Sequence, residues 1–414
     1  MPMPISTVLS LLNLVVILAA AILAPIIANR IPRVRLPVVL LEIGLGVVVG
    51  PQLLGIAKVD AVANLFSQCG LAFLFFLAGF EVDLKRIRGR PLAQAWGGWL
   101  LSFALALGLA AVTQHGGALL ALLYVALATS TTGIGSLMPI LHDAGELRTP
   151  FGTHILAAGA AGQFGPILVL ALANHERSPG EGLLALGAFF AVSMAITVIA
   201  RHWRPARLTQ LLHTTLRTSG QLATRFSIGL IAALVLLAEA LGINMLLGAF
   251  TAGIIVAQVV GTVGAAQHAQ VEIVRAKYEA IGYGFFIPIF FVTSGMNFEL
   301  RSLLVDPLNL LLIPGFMICF LLARGLPALL LYRRDLSSHD RRSLALLSAT
   351  QLSLVIVVTR LGVVNGALTP STAAALVGAG MSSVFLFPLL ALAIRTSRPL
   401  SQQAAPDRPP IAAE

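Results

Sequence analysis

Charge is scarce in this chain. Only 11% of its 414 residues are Asp, Glu, Lys or Arg, against 57% hydrophobic, too few to clothe a water-soluble fold of this length. Cysteine is scarcer still. Cys69 and Cys319 both fall in apolar runs without ligand spacing, which sets aside a disulfide or a thiolate metal site. No GxGxxG or Walker sequence occurs, so neither a nucleotide-gating domain nor ATP drive is expected. The eight histidines are scattered and mostly near loops. No catalytic triad or metal cluster emerges, and the sequence does not read as an enzyme. The first apolar run lacks a basic leader and a small-residue cleavage site, so it reads as a first helix rather than a signal peptide.

What is present is apolar length. Thirteen runs are expected to cross a membrane, at 9–29, 36–55, 62–80, 91–113, 117–141, 150–173, 181–200, 226–241, 243–263, 280–297, 308–332, 343–363 and 367–394. The net charge of +10 would suggest nucleic acid in a soluble protein, but here the basic residues collect in short loops. With the N-terminus outside, only Lys58, Arg177 and Arg301 face outward, and Arg324 and Arg360 lie within spans. Every other Lys and Arg falls on the inner side, which predicts an N-out, C-in chain.

An internal repeat organises the spans. Phe75-Phe76-Leu77-Ala78-Gly79 leading to Asp83-Leu84 recurs as Phe291-Val292-Thr293-Ser294-Gly295 leading to Glu299-Leu300. Gly44-Leu45-Gly46-Val47-Val48-Val49-Gly50 echoes Thr251-Ala252-Gly253-Ile254-Ile255-Val256-Ala257. The expected organisation is repeat one at 9–173, a connector helix at 181–200 and repeat two at 226–394, together a transmembrane domain over 1–395. An odd connector turns the halves opposite ways in the membrane, the arrangement of many secondary transporters. Residues 396–414, rich in Pro, Ala and Gln, read as a disordered cytoplasmic tail.

Within this frame a few polar residues stand out. The sixth span reads FGTHILAAGAAGQFGPILVLALA, with Gln163 at its centre, and a polar side chain at mid-membrane needs partners there. The fifth span carries Thr129-Ser130-Thr131-Thr132-Gly133, with Pro139 beyond, and its repeat mate, the twelfth, carries Ser348-Ala349-Thr350-Gln351-Leu352-Ser353. Both patterns favour a break in the helix whose freed carbonyls could hold a cation. The other reading has the hydroxyls bonding back to their own helix. Arg324 in the eleventh span lies roughly 12 Å from the inner end at helical rise, too deep to snorkel easily. It requires an internal partner, and the expected ones are Gln163, nearest in depth, or the carbonyls of a broken helix. Glu42 and Glu239 are possible accessory carboxylates. Glu81, Asp83 and Glu299 read as caps or gates at span ends.

On these residues the chain resembles the monovalent cation:proton antiporter superfamily in its second branch, the Kef-like and bacterial sodium/proton exchangers. The carrying motifs are Leu36-Pro37 to Gly50-Pro51, Phe75 to Asp83, Thr129 to Gly135, Gly152 to Pro166, Gly248-Ala249-Phe250 with Gly253, Phe285 to Met296, and Ser348 to Ser353. The resemblance implies an all-α polytopic fold of inverted repeats with two discontinuous helices, the fifth and twelfth, crossing near the midplane. It also implies a homodimer in a bacterial inner membrane that exchanges Na⁺ or K⁺ for protons by alternating access, without a cofactor. The family's shared ligand in the sixth span is an Asp or Glu, and here that position is Gln163. Glutamine cannot ionise, so it mimics only the protonated carboxyl, and Arg324 loses the family's counter-ion. The ion-binding set implied is Gln163, Thr129, Ser130, Thr131, Arg324, Thr350 and Gln351. The alternatives are a transport-silent sensor or scaffold, a substituted form of an antiporter, and a leak that needs only carbonyl and hydroxyl ligands.

Overall fold

The computed structural model describes residues 5–30, 37–82, 87–113, 119–135, 137, 141, 145–146, 149–173, 179–202, 221–260, 268–304 and 307–396. Asp83, Lys85, Pro139, the loop arginines Arg33, Arg35, Arg86, Arg148, Arg177, Arg204, Arg207 and Arg217, and the tail beyond 396 lie outside them. The described residues form thirteen helical spans, which we number in chain order. They are α1 (Ile5–Arg30), α2 (Val38–Val49), α3 (Ala61–Phe80), α4 (Arg90–Thr113), α5 (beginning with Leu119–Thr129), α6 (Pro150–Ala173) and α7 (Pro179–His202). Then come α8 (Leu222–Ala240), α9 (Met245–Val260), α10 (His268–Ile281, Gly282–Phe286 and Ile287–Met296) and α11 (Pro307–Phe320, Leu321–Gly325 and Leu326–Leu331). The last are α12, in two halves (Ser338–Ser348 and Ser353–Val364), and α13 (Pro370–Thr396). Ten are long and apolar enough to cross a membrane, while α2, α9 and the described part of α5 are shorter apolar helices. The protein is an all-helical polytopic membrane protein.

Local chemistry sets several helix ends. Asp60 caps α3 by accepting the Ala63 amide at 2.9 Å, and Ser337 caps the first half of α12 by accepting the Asp340 amide at 3.2 Å. In α10 and α11 the middle segment is a π-helical turn, followed at once by Pro288 and Pro327. A proline inside a helix donates no amide and crowds the carbonyl four residues back, and widening the preceding turn relieves both. The α10 pattern therefore starts earlier than the apolar run suggests, at His268 rather than near 280.

The repeated stretches meet face to face. Gly253 on α9 lies so close to α3 that an added Cβ would fall 2.0 Å from the Phe76 carbonyl oxygen, and one on Gly46 of α2 would fall 2.1 Å from that of Val292 on α10. Likewise an added Cβ on Gly79 would fall 2.1 Å from the Phe250 carbonyl oxygen, and one on Gly295 2.1 Å from that of Ile43. Gly46 and Gly253, Phe76 and Val292, Gly79 and Gly295, and Ile43 and Phe250 occupy matching repeat positions, so one contact has been built twice. Small residues that let backbones touch replace the hydrophobic effect, which does not drive helices together in lipid. Elsewhere in the bundle, Arg395 of α13 grips Glu146 with two bonds of 2.7 Å and also pairs with Asp340. Its guanidinium stacks 3.9 Å from the Phe151 ring. Together these tie α13, α12 and the entry to α6.

Candidate functional site

Two interrupted helices cross at the side of α6. The first segment of α5 ends at Thr129, residues 131–133 are non-helical, and helix resumes at Ile134. The halves of α12 are separated by residues 349–352, with Leu352 at φ −152°. The two breaks satisfy each other's backbone. The Gly133 amide donates to the Thr350 carbonyl at 2.8 Å, and the Thr132 amide donates to the Gly162 carbonyl of α6 at 3.0 Å. The Thr131 hydroxyl donates to Gln351 Oε1. On its far side Gln351 is held by α13: its amide donates to Ser383 Oγ at 3.1 Å, and Ser383 Oγ donates back to its carbonyl at 3.1 Å. Breaks of this kind survive in a membrane only where protein supplies such partners.

Not every expected hydroxyl takes part. Thr129 donates to Val125 O, Ser130 to Leu127 O and Thr350 to Leu346 O, each within its own preceding turn. Thr131 and Gln351 bridge the crossing, as does Thr132, which sequence reasoning placed in the motif but not among the site residues.

Arg324 enters from the π-helical turn of α11 and is 4% exposed. Its Nε and Nη2 donate to Thr132 Oγ1 at 3.0 and 2.7 Å, Nη2 also to the Ala158 carbonyl at 3.0 Å, and Nη1 to Ser102 Oγ at 3.3 Å. Nε lies 3.4 Å from the Ser348 carbonyl, to which Thr132 Oγ1 itself donates at 2.6 Å. One guanidinium thus joins α4, α6 and both interrupted helices. Among the described residues no carboxylate pairs with it. It does not bond Gln163, but its neighbour Gly162 touches it, since a Cβ there would fall 2.5 Å from Nη2. Gln163 is 4% exposed and its Oε1 meets no donor. Ser102, a lone hydroxyl in the apolar fourth span, gave no sequence signal.

The two accessory carboxylates lie elsewhere. Glu42 is buried on α2, and Glu239 lines a cleft of about 900 Å³ between α3, α8 and α10 on one side and the second half of α12 and α13 on the other. Gln68, Asn244, Glu299 and Arg360 share that cleft.

Glu81, just past the end of α3, is a titrating group outside the spans. Burial pushes its carboxyl up to about 8, against the pull of Arg275, whose Nη2 lies 3.9 Å from Oε1. An acid whose pKa is raised on folding binds its proton more tightly in the folded state. Stability then falls as pH rises from the ordinary carboxyl range of about 4.5 toward 8, and levels off above it. The thermal midpoint of the purified protein should show this decline, and Glu81→Gln should flatten it and raise the midpoint at pH 8. An unchanged profile in the variant would assign the decline to other groups.

The fold and sequence both have counterparts. The structure aligns with the sodium proton antiporter MjNhaP1 of Methanocaldococcus jannaschii at pH 8, with a TM-score of 0.65 over 94% of this chain and 96% of that one, at 16% identity. It therefore has that antiporter's fold. In sequence, it is 27% identical over 378 residues to the putative Na⁺/H⁺ antiporter YjbQ of Bacillus subtilis, covering 85% of this chain and 58% of YjbQ. It is 26% identical over 350 residues to the Na⁺/H⁺-K⁺ antiporter GerN of Bacillus cereus, covering 81% of this chain and 84% of GerN. The family model for the transmembrane sodium/hydrogen exchanger matches residues 17–392, and the chain belongs to that family.

Proposed function

We propose that the protein is a secondary transporter built to exchange a monovalent cation, Na⁺ or K⁺, for protons by alternating access, with Gln163 standing where the exchanging carboxylate belongs. The crossing of the two interrupted helices against α6 carries this reading. Unwound backbone, Thr131, Thr132 and Gln351 converge there beside Gly162 and Gln163, the kind of midplane setting in which transporters hold small ions. The working form is a homodimer in a bacterial inner membrane, oriented N-out and C-in, and the loop-charge asymmetry supports that orientation.

Gln163 itself favours a second reading. An amide carries no proton between the two sides, so a chain with glutamine at this position would be transport-silent or state-locked. Proteoliposomes under an imposed Na⁺ or K⁺ gradient test both, with internal pH as the readout. The unmodified chain should move few protons, and Gln163→Glu should restore exchange at nearly constant volume. Protons and the cation then compete for one carboxylate, so the restored exchange should fall as the medium is acidified. Robust exchange by the unmodified chain would place the proton on another group, with Glu42→Gln the next variant to measure. No exchange by Gln163→Glu would favour the silent reading.

A further inference from the structure

Arg324 borders a small void between α4, α6, α11 and α12. The lining includes Gly98, Ser102, Ala158, Arg324, Tyr332 and Ser348, and the space, ≈ 10 Å³, is close to that needed by the centre of one water-sized particle. Two groups on its wall have unused hydrogen-bonding capacity. Ser348 Oγ, on a side chain only 2% exposed, meets no partner. Arg324 Nη1 makes one bond, the 3.3 Å contact with Ser102 Oγ, although it carries two N–H donors. All of the guanidinium's partners are neutral oxygens.

A full positive charge, a serine with an unpartnered hydroxyl and a second serine line one water-sized space, and these are the elements of an anion site. We propose that this void binds a small monovalent anion of the halide class, held by Arg324 Nη1 and the Ser348 hydroxyl and bordered by Ser102. The anion supplies the negative charge that the sixth span would provide if residue 163 were acidic. A halide needs slightly more room than one water, whereas a carboxylate or phosphate needs several times the space, and the guanidinium excludes a cation. Water could fill the same volume but would leave the buried charge without a counter-charge, which a low-dielectric interior penalises. The inference rests on this geometry alone and stands whether or not the chain exchanges cations.

Thermal unfolding of the purified full chain distinguishes the cases, with sodium chloride or bromide exchanged for sodium gluconate at constant ionic strength. The midpoint should rise saturably with either halide and stay flat in gluconate. Ser348→Ala should shift half-saturation to about fivefold higher halide, the factor equivalent to about 1 kcal/mol, whereas Ser102→Ala should not weaken it, because that hydroxyl already donates to the Gly98 carbonyl at 2.7 Å. Crystals grown in bromide should place the anomalous signal beside Arg324. Equal midpoints in chloride and gluconate would overturn the proposal. So would a halide response that Ser348→Ala leaves unchanged, because that response would come from the surface.

Discussion

Gly253→Ala and Gly46→Ala should each cost the folded protein about 1–3 kcal/mol or more, whereas Gly44→Ala, two residues from Gly46 on the same helix, should cost nothing. An added Cβ at 253 would lie 2.0 Å from the Phe76 carbonyl oxygen and 2.7 Å from the Phe80 amide nitrogen. Both obstacles are backbone, so no rotamer change relieves them and α9 must move off α3. At position 46 the Val292 carbonyl oxygen, 2.1 Å away, imposes the same on α2 and α10. Overpacking of this kind costs about 1–3 kcal/mol even where side chains can adjust. At Gly44 an added Cβ meets nothing within 4 Å, and alanine in a helix gains roughly 0.5–1 kcal/mol over glycine. Unfolding midpoints of the three variants in detergent check the ranking. Because the contacts at 46 and 253 occupy matching repeat positions, their losses should be similar. A large loss at one and none at the other would show that the repeat is not an equivalence of packing.

These glycines are the reason so much of the architecture was legible in the sequence. A repeat is visible where both copies must solve one steric problem, and here the problem is a helix pair in backbone contact. The thirteen apolar runs and the breaks in α5 and α12 were legible for a similar reason. Lipid tolerates unpaired backbone so poorly that a polar run such as 129–133 inside a span points to a break lined by protein. Finer features depended on three-dimensional neighbours. The partners expected for Arg324 were Gln163, by depth, or the carbonyls of a broken helix. The Ser348 carbonyl at the α12 break is within reach of Nε at 3.4 Å, but Gln163 is not bonded, because depth ignores the direction in which a side chain leaves its helix. Gly162 faces the guanidinium, and Thr132 takes two of its bonds. The π-helical turn that carries Arg324 was implicit in Pro327 but not in its hydrophobic pattern. Ser102 became informative only once α4 was placed against α11.

The substitution of Arg324 that looks conservative should be the more damaging one. Arg324→Lys is expected to lower stability by about 3–5 kcal/mol, and Arg324→Met by appreciably less. The guanidinium reaches Thr132, Ala158, Ser102 and Ser348 at once because its donors fan out in a plane. Lysine keeps the full charge at the same buried position but offers three donors from a single point, so it cannot span those acceptors. It would retain the cost of burying a charge while losing most of the bonds that offset it, and breaking such an arrangement one-sidedly typically costs about 3–5 kcal/mol. Methionine loses the same bonds but also removes the charge. Several abandoned acceptors keep another partner, since Thr132 Oγ1 still donates to the Ser348 carbonyl and Ser102 Oγ still donates to the Gly98 carbonyl at 2.7 Å. The expected order of unfolding midpoints is therefore Arg324, then Met, then Lys. The reverse order, with Lys near the unmodified protein and Met far below it, would mean that the positive charge itself is required. A counter-charge, either the bound anion or a carboxylate outside the described residues, would then have to lie close enough to neutralise it.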